Sequence, residues 1–173
     1  TVAAGLYNPV ILKRFTPAWN ALEQIQKALP FYEKLENKLG VKIDYKTPVF
    51  RIFNSVEEQN RWFEVSDKPV LKHFISPKVH ANQNKHIKAE FGFGEVLQSG
   101  RIDTKLLVDV YRSYLLDNQW LREEQFEYTT LQLTKTLQYN SIQSKYIIFC
   151  EGFGIKNNPF FNQLPLVGNK GEL

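Results

Sequence analysis

The chain has 173 residues, of which 43% are hydrophobic, 14% aromatic and 23% charged; that balance suits one folded domain with its own core and excludes disordered, collagen-like and coiled-coil chains. A formal net charge of +4 is mild and by itself points to no polyanion partner. The longest apolar run, Tyr146–Cys150, is far short of the ~20 residues of a membrane-spanning helix, no charged-then-apolar leader opens the chain, and a single cysteine, Cys150, permits no internal disulfide or thiolate-rich metal site, so the cytoplasm is expected. Methionine is absent even at position 1, and the chain reads as an excised portion of a longer protein.

Residues 1–15 read as a loop or short extended segment, with small residues Ala3, Ala4 and Gly5 before a turn at Asn8-Pro9. Thr16 and Pro17 predict a helix start, and Ala18, Leu22, Ile25, Leu29, Tyr32, Leu35 and Leu39 recur at helical spacing. Pro30 predicts a kink or a break in that helix, and Gly40 its end. Alternation over Val41–Phe53 predicts two short strands, and Ser55 with Glu58 forms a capping box for a brief helix carrying Trp62 and Phe63. Strand character resumes from Phe91 to Ile102, and Asp103 caps a helix whose Leu106, Leu107, Val110, Tyr111, Tyr114 and Leu115 share a face. The last third alternates, turns at Asn140-Ser141 and enters the run Tyr146–Cys150, which reads as a strand buried on both faces before Gly152-Phe153-Gly154 and a Pro/Asn-rich loop.

Residues 66–88 have no sustained period and are the most basic stretch, with Lys68, Lys72, Lys78, Lys85 and Lys88 and all three histidines against the single acid Asp67. The spacing of His73, His80 and His86 matches no zinc pattern, so no metal is expected. A non-catalytic basic module for nucleic acid is one reading of this stretch, although Phe74 alone offers a stacking surface and no arginine lies in it; a solvated loop is the other. Cys150 follows apolar residues and precedes Glu151, a setting that does not activate a thiol, and no G-x-S-x-G elbow is present. Gly152-Phe153-Gly154 after an apolar run suits a close backbone approach to a phosphate or ring, yet it is an incomplete G-x-G-x-x-G and equally suits a plain turn.

Four segments in order resemble the FAD-dependent oxidoreductases of the D-amino acid oxidase and glycine oxidase superfamily. Ala3–Pro9 resembles that family's small-residue loop beside the flavin. Gly100-Arg101-Ile102-Asp103 with Leu106-Leu107 resembles its "G-x-(V/I)-D-P-x-x-L" entry into a helix, with Thr104 in place of proline. Ile147–Gly154 resembles its "V-V-(L/N)-A-(A/T)-G-A-W" strand and turn, with Glu151 and Phe153 departing from the pattern, and Leu164-Pro165-Leu166 with Lys170-Gly171-Glu172 resembles the segment that follows. The resemblance implies an α+β fold with a mixed, largely antiparallel sheet and helices packed on one face: a substrate-binding part over 13–140, with 1–12 and 141–173 as edges of an FAD-binding domain whose G-x-G-x-x-G and final segments lie outside the chain. It implies FAD as cofactor, an amine or amino acid as substrate, Ala4, Gly5, Leu6, Phe126 and Gly152 near the cofactor, and Tyr7 and Asn8 near the substrate. Packing in the core is the alternative for Phe126 and Tyr7, and a turn the alternative for Asn8. No catalytic residue is assigned, and the portion alone is expected to be inert.

Overall fold

A computed structural model describes residues 3–168; Lys170-Gly171-Glu172 and the terminal Glu172-Leu173 lie outside them. The chain is α+β and divides into two compact units, Thr1–Leu121 and Arg122–Leu173. The first unit runs β1 (Leu6–Tyr7), β2 (Val10–Ile11), β3 (Thr16–Pro17), α1 (Ala21–Leu39), β4 (Asp44–Lys46), β5 (Val49–Ile52), α2 (Val56–Ser66), β6 (Ile75–His80), β7 (Phe93–Val96), β8 (Gly100–Ile102) and α3 (Thr104–Asp117). Its main sheets are three-stranded and antiparallel, with orders β1-β8-β4 and β5-β7-β6.

The two sheets follow one another along the same pair of chain segments, separated by a bulge-like excess of one residue. β4 pairs with β8 as far as Lys46 opposite Gly100, and β5 pairs with β7 from Val49 opposite Val96. Thr47 and Pro48 therefore face Leu97, Gln98 and Ser99, one residue more, and Gln98 absorbs the excess at φ 56°. The buried Ser99 hydroxyl closes the gap by accepting the Val49 N–H at 3.1 Å and donating to the Thr47 carbonyl at 2.9 Å.

The core forms where α2 packs on β6 and its Trp62 reaches β7. Trp62 is fully buried on Gly94, where a Cβ would lie 2.4 Å from the indole ring, and Phe15 and Phe53 meet that indole edge-on at 5.5 Å. Its N–H donates to the Ser76 carbonyl at 2.8 Å, so the polar edge of the ring is not left unpaired. Each helix has a local cause. Ser55 accepts the Glu58 N–H at 3.2 Å at the start of α2, Asp103 accepts the Leu106 N–H at 3.0 Å at the start of α3, and Gly40, at φ 67°, ends α1 with its N–H on the Glu36 carbonyl.

The expected start of α1 is corrected, and of the two readings of Pro30 the break is excluded. The helix begins at Ala21 rather than at Thr16-Pro17, because that pair forms β3 against β2 and Asn20 turns the chain in a left-handed conformation. Pro30 sits inside one continuous helix, exposed, rather than dividing it. Residues 66–88, read as lacking a regular element, supply β6, whose Ile75 and Ser76 are buried and whose Pro77 and bulge obscure the alternation.

The second unit is a meander of β9 (Leu131–Leu133), β10 (Leu137–Tyr139) and β11 (Ile142–Ser144), with the expected turn at Asn140, φ 51°. Tyr146–Cys150 is not the buried strand its composition predicts: it forms no strand, and Tyr146 and Ile148 are 82% and 83% exposed. A strand needs a neighbour's backbone, and no described strand stands beside this run.

Ser99→Ala leaves the Val49 N–H and Thr47 carbonyl without their partner, and urea unfolding should register a loss of about 1–3 kcal/mol. Glu58 accepts bonds from the Asn54 backbone N–H at 2.8 Å and the Arg51 guanidinium at 2.5 Å. Burial raises its carboxyl pKa, but these bonds lower it by more, to below the ordinary 4.5. That stabilisation is complete above pH ~4.5 and is lost as acid titrates the folded carboxylate; Glu58→Gln should flatten the acid limb of the Tm against pH curve.

Candidate site around Tyr7

β1 joins the sheet with Leu6 opposite Arg101 and Tyr7 opposite Gly100. Just before it, the Ile102 N–H donates to the Gly5 carbonyl at 2.9 Å, and the Thr104 hydroxyl donates to the Ala3 carbonyl at 2.9 Å. Gly5 holds φ +78°, and a Cβ there would stand 2.1 Å from the Ile102 carbonyl oxygen, so the glycine is required by the sheet. Gly100 serves similarly: its missing side chain leaves room for the Tyr7 ring, whose hydroxyl would be 2.3 Å from a Cβ.

With β8 between them, β1 and β4 bring Tyr7, Asp44 and Lys46 together. The Tyr7 hydroxyl donates to Asp44 Oδ1 at 2.8 Å, and the Lys46 ammonium donates to the Tyr7 oxygen at 3.1 Å and to Asp44 Oδ2. Asp44 is buried, while the Lys46 side chain is 59% exposed. From α1, Glu36 Oε1 accepts the N–H groups of both Ile43 and Asp44 at 2.7 Å, fixing the start of β4.

Burial raises the Tyr7 pKa above 10.0, the Lys46 bond pulls it back, and the Asp44 carboxylate adds to the rise; the phenol stays neutral at physiological pH. For Lys46 burial lowers the pKa, but bonds to Asp44 and Tyr7 outweigh it and carry the ammonium above 10.5. The result is a neutral O–H, a buried carboxylate and a half-open cation in one chain of hydrogen bonds, able to present a positive charge to a polar ligand but not to ionise the phenol as a base.

Of the residues expected at a site, Ala4 and Gly5 precede this strand, Leu6 and Tyr7 form it, and Asn8 follows it. Ala4 is half-buried and Leu6 is 59% exposed. Asn8 is exposed and its Oδ1 accepts the Val10 N–H at 3.0 Å, an Asx turn that sets up β2. Asp44 and Lys46 were not singled out from sequence. They occupy the polar positions of the Val41, Ile43, Tyr45 alternation, two apart on one face of the strand, so the pattern itself marks them as solvated and gives no signal that Asp44 is buried.

Phe126 and Gly152 belong to the second unit. Phe126 stacks on Tyr139 at 4.3 Å and meets Phe149 edge-on at 5.7 Å, so its ring is packed within an aromatic cluster. Gly152 opens a short 3₁₀ helix at φ 55°, and nothing stands within 4 Å of where its Cβ would be. Beside it Glu151 accepts the Tyr128 hydroxyl at 2.6 Å and the amide of the fully buried Asn158 at 3.1 Å, which gives Glu151 a structural role.

The basic stretch meets acids from other elements or from its flanks: Lys68 with Glu64 at 3.7 Å, His80 with Glu95 at 3.0 Å and Lys88 with Glu90 at 3.8 Å. Those pairs reduce the local positive potential. Among the described residues no group of three or more His, Cys, Asp and Glu side chains comes together, and no helix is long and apolar enough to cross a membrane. No family model matches the chain, and no solved structure matches it.

Folding favours the protonated forms of Tyr7 and Lys46, so their stabilisation is complete below pH ~10 and lost as pH rises through their folded values. Tyr7→Phe should lower stability at neutral pH by about 1–3 kcal/mol, by depriving buried Asp44 of a donor. In the same variant the alkaline fall of Tm should be shallower than in the parent.

Proposed function

We propose that the chain is the substrate-side portion of an FAD-dependent oxidoreductase that oxidises an amine or amino acid in the cytoplasm. One observation carries the reading: Ala3–Pro9 and Gly100–Asp103, two of the segments on which the resemblance rests, are distant in sequence yet lie on neighbouring strands, joined by the Gly5–Ile102 and Ala3–Thr104 hydrogen bonds. Unrelated chance matches need not meet in space, whereas parts of one site must. The exposed, unpaired Tyr146–Cys150 run is also what a strand would look like if its sheet partners belonged to the remainder of an FAD domain.

The residues fit the cofactor unequally. Gly152 leaves open space in which a phosphate or ring can approach the backbone. Gly5 does not, since the Ile102 carbonyl fills the position of its Cβ; its part is to hold Ala4 and Leu6 in place. FAD, when bound, would supply the redox chemistry as acceptor of a hydride from the carbon beside the amine nitrogen. The chain's own residues orient substrate: Tyr7 is locked by Asp44 and Lys46, and the exposed Asn8 amide nitrogen is directed by the turn its oxygen makes.

The test compares visible absorption of the protein purified from its complete reading frame with that of this 173-residue chain. A yellow full-length product and a colourless portion are expected; a full-length product that is colourless and cannot be reconstituted with FAD overturns the reading. In the flavin-loaded protein, Asn8→Ala should change the kinetics of amine oxidation with little change in flavin content, and equal loss of both would remove Asn8 from the substrate face.

A further inference from the structure

A cavity of about 510 Å³ lies between α1 and α3, separate from the Tyr7 cluster. Phe31 and Leu35 of α1 face Leu107, Val108 and Tyr111 of α3 across it, and Phe31 and Val108 are 59% and 49% exposed. The charged residues lining it are Lys34 and Lys38, both cationic. Lys38 is held over the Tyr114 ring at 4.6 Å, and among the described residues no acid pairs with Lys34. The two lysines are four residues apart on one helix, an arrangement of like charges that costs a few tenths of a kcal/mol unless an anion lies between them.

We propose that this groove binds a small anionic amphiphile, a hydrocarbon or aromatic body in the apolar floor with a carboxylate between Lys34 and Lys38. Its volume falls within the ~300–1,000 Å³ of small-molecule sites. Its span favours this occupant over a partner helix. Phe31 to Lys38 covers about two turns, ~10 Å at ~1.5 Å per residue, and the opposite wall, from Leu107 to Tyr111, covers about one turn, too little for a docking helix that uses anchors at i, i+4 and i+7 along the groove.

The test is calorimetric titration of the protein from its complete reading frame with monomeric decanoate, decylamine of equal tail length, and phosphatidylglycerol vesicles; none of these depends on flavin content. Saturable binding of one decanoate per chain is expected, with decylamine at least tenfold weaker. Lys34→Gln with Lys38→Gln should weaken decanoate about tenfold, as two screened charge contacts are lost, and Val108→Asp, at a half-exposed position, should weaken it further. Lys34→Glu with Lys38→Glu should reverse the preference toward decylamine. Equal affinity of the parent protein for the two head groups, an unchanged titration in Val108→Asp, or binding to vesicles without binding to monomeric decanoate overturns the proposal.

Discussion

The bulge at Leu97–Ser99 is the constraint on which the first unit depends. Residues 93–102 supply the central strand of both main sheets, and the extra residue between Val96 and Gly100 changes the register of everything paired on either side. Because side chains alternate across a strand, a one-residue shift decides which of them point to the core. On one side of the bulge Gly94 receives Trp62, and on the other Gly100 receives Tyr7, so each strand glycine is filled by an aromatic ring from a different element. The buried Ser99 hydroxyl is what allows the ladder to break there without leaving the Val49 N–H and Thr47 carbonyl unpaired.

The Tyr7 cluster follows from that geometry. Tyr7 reaches Asp44 and Lys46 only because β8, with no side chain at Gly100, lies between β1 and β4. Asp44 is tolerated in a buried position because its carboxylate receives both the phenol and the ammonium, while its own N–H is taken by Glu36. Burial, with the Asp44 bond, outweighs the pull of Lys46 and holds Tyr7 protonated, which suits positioning and disfavours proton abstraction. A flavoenzyme reading asks no more of these residues, because the cofactor carries the redox chemistry and the protein supplies orientation.

The second unit is organised differently. In place of an aliphatic core it has Phe126, Tyr128, Tyr139, Phe149 and Phe160 in mutual contact, and Glu151 joins Tyr128 to the buried Asn158 below the Gly152 turn. Tyr146 and Ile148, next to this cluster in sequence, remain largely exposed. Their composition suits burial on both faces, and only a neighbouring strand or surface can provide it.

Local chemistry was legible in the sequence. Ser55, Asp103, Gly40 and the Asn140 turn act within a few residues of themselves, and the structure has each where the sequence predicts, although the Glu58 carboxylate takes the Asn54 N–H and Arg51 rather than closing the capping box on Ser55. The two short strands between Val41 and Phe53 were legible for the same reason, since alternation is a local pattern. The helical start at Thr16-Pro17 was not, because pairing with Val10-Ile11 outweighs a good cap, and β6 was hidden by Pro77 and its bulge. Of the Tyr7 cluster, the family resemblance pointed only to the Ala4–Asn8 segment. Its partners Asp44 and Lys46, the filling of Gly100 by Tyr7, and the use of Gly5 by the Ile102 carbonyl were decided by tertiary structure, because each is a contact across strands whose register depends on a single extra residue far away in the chain.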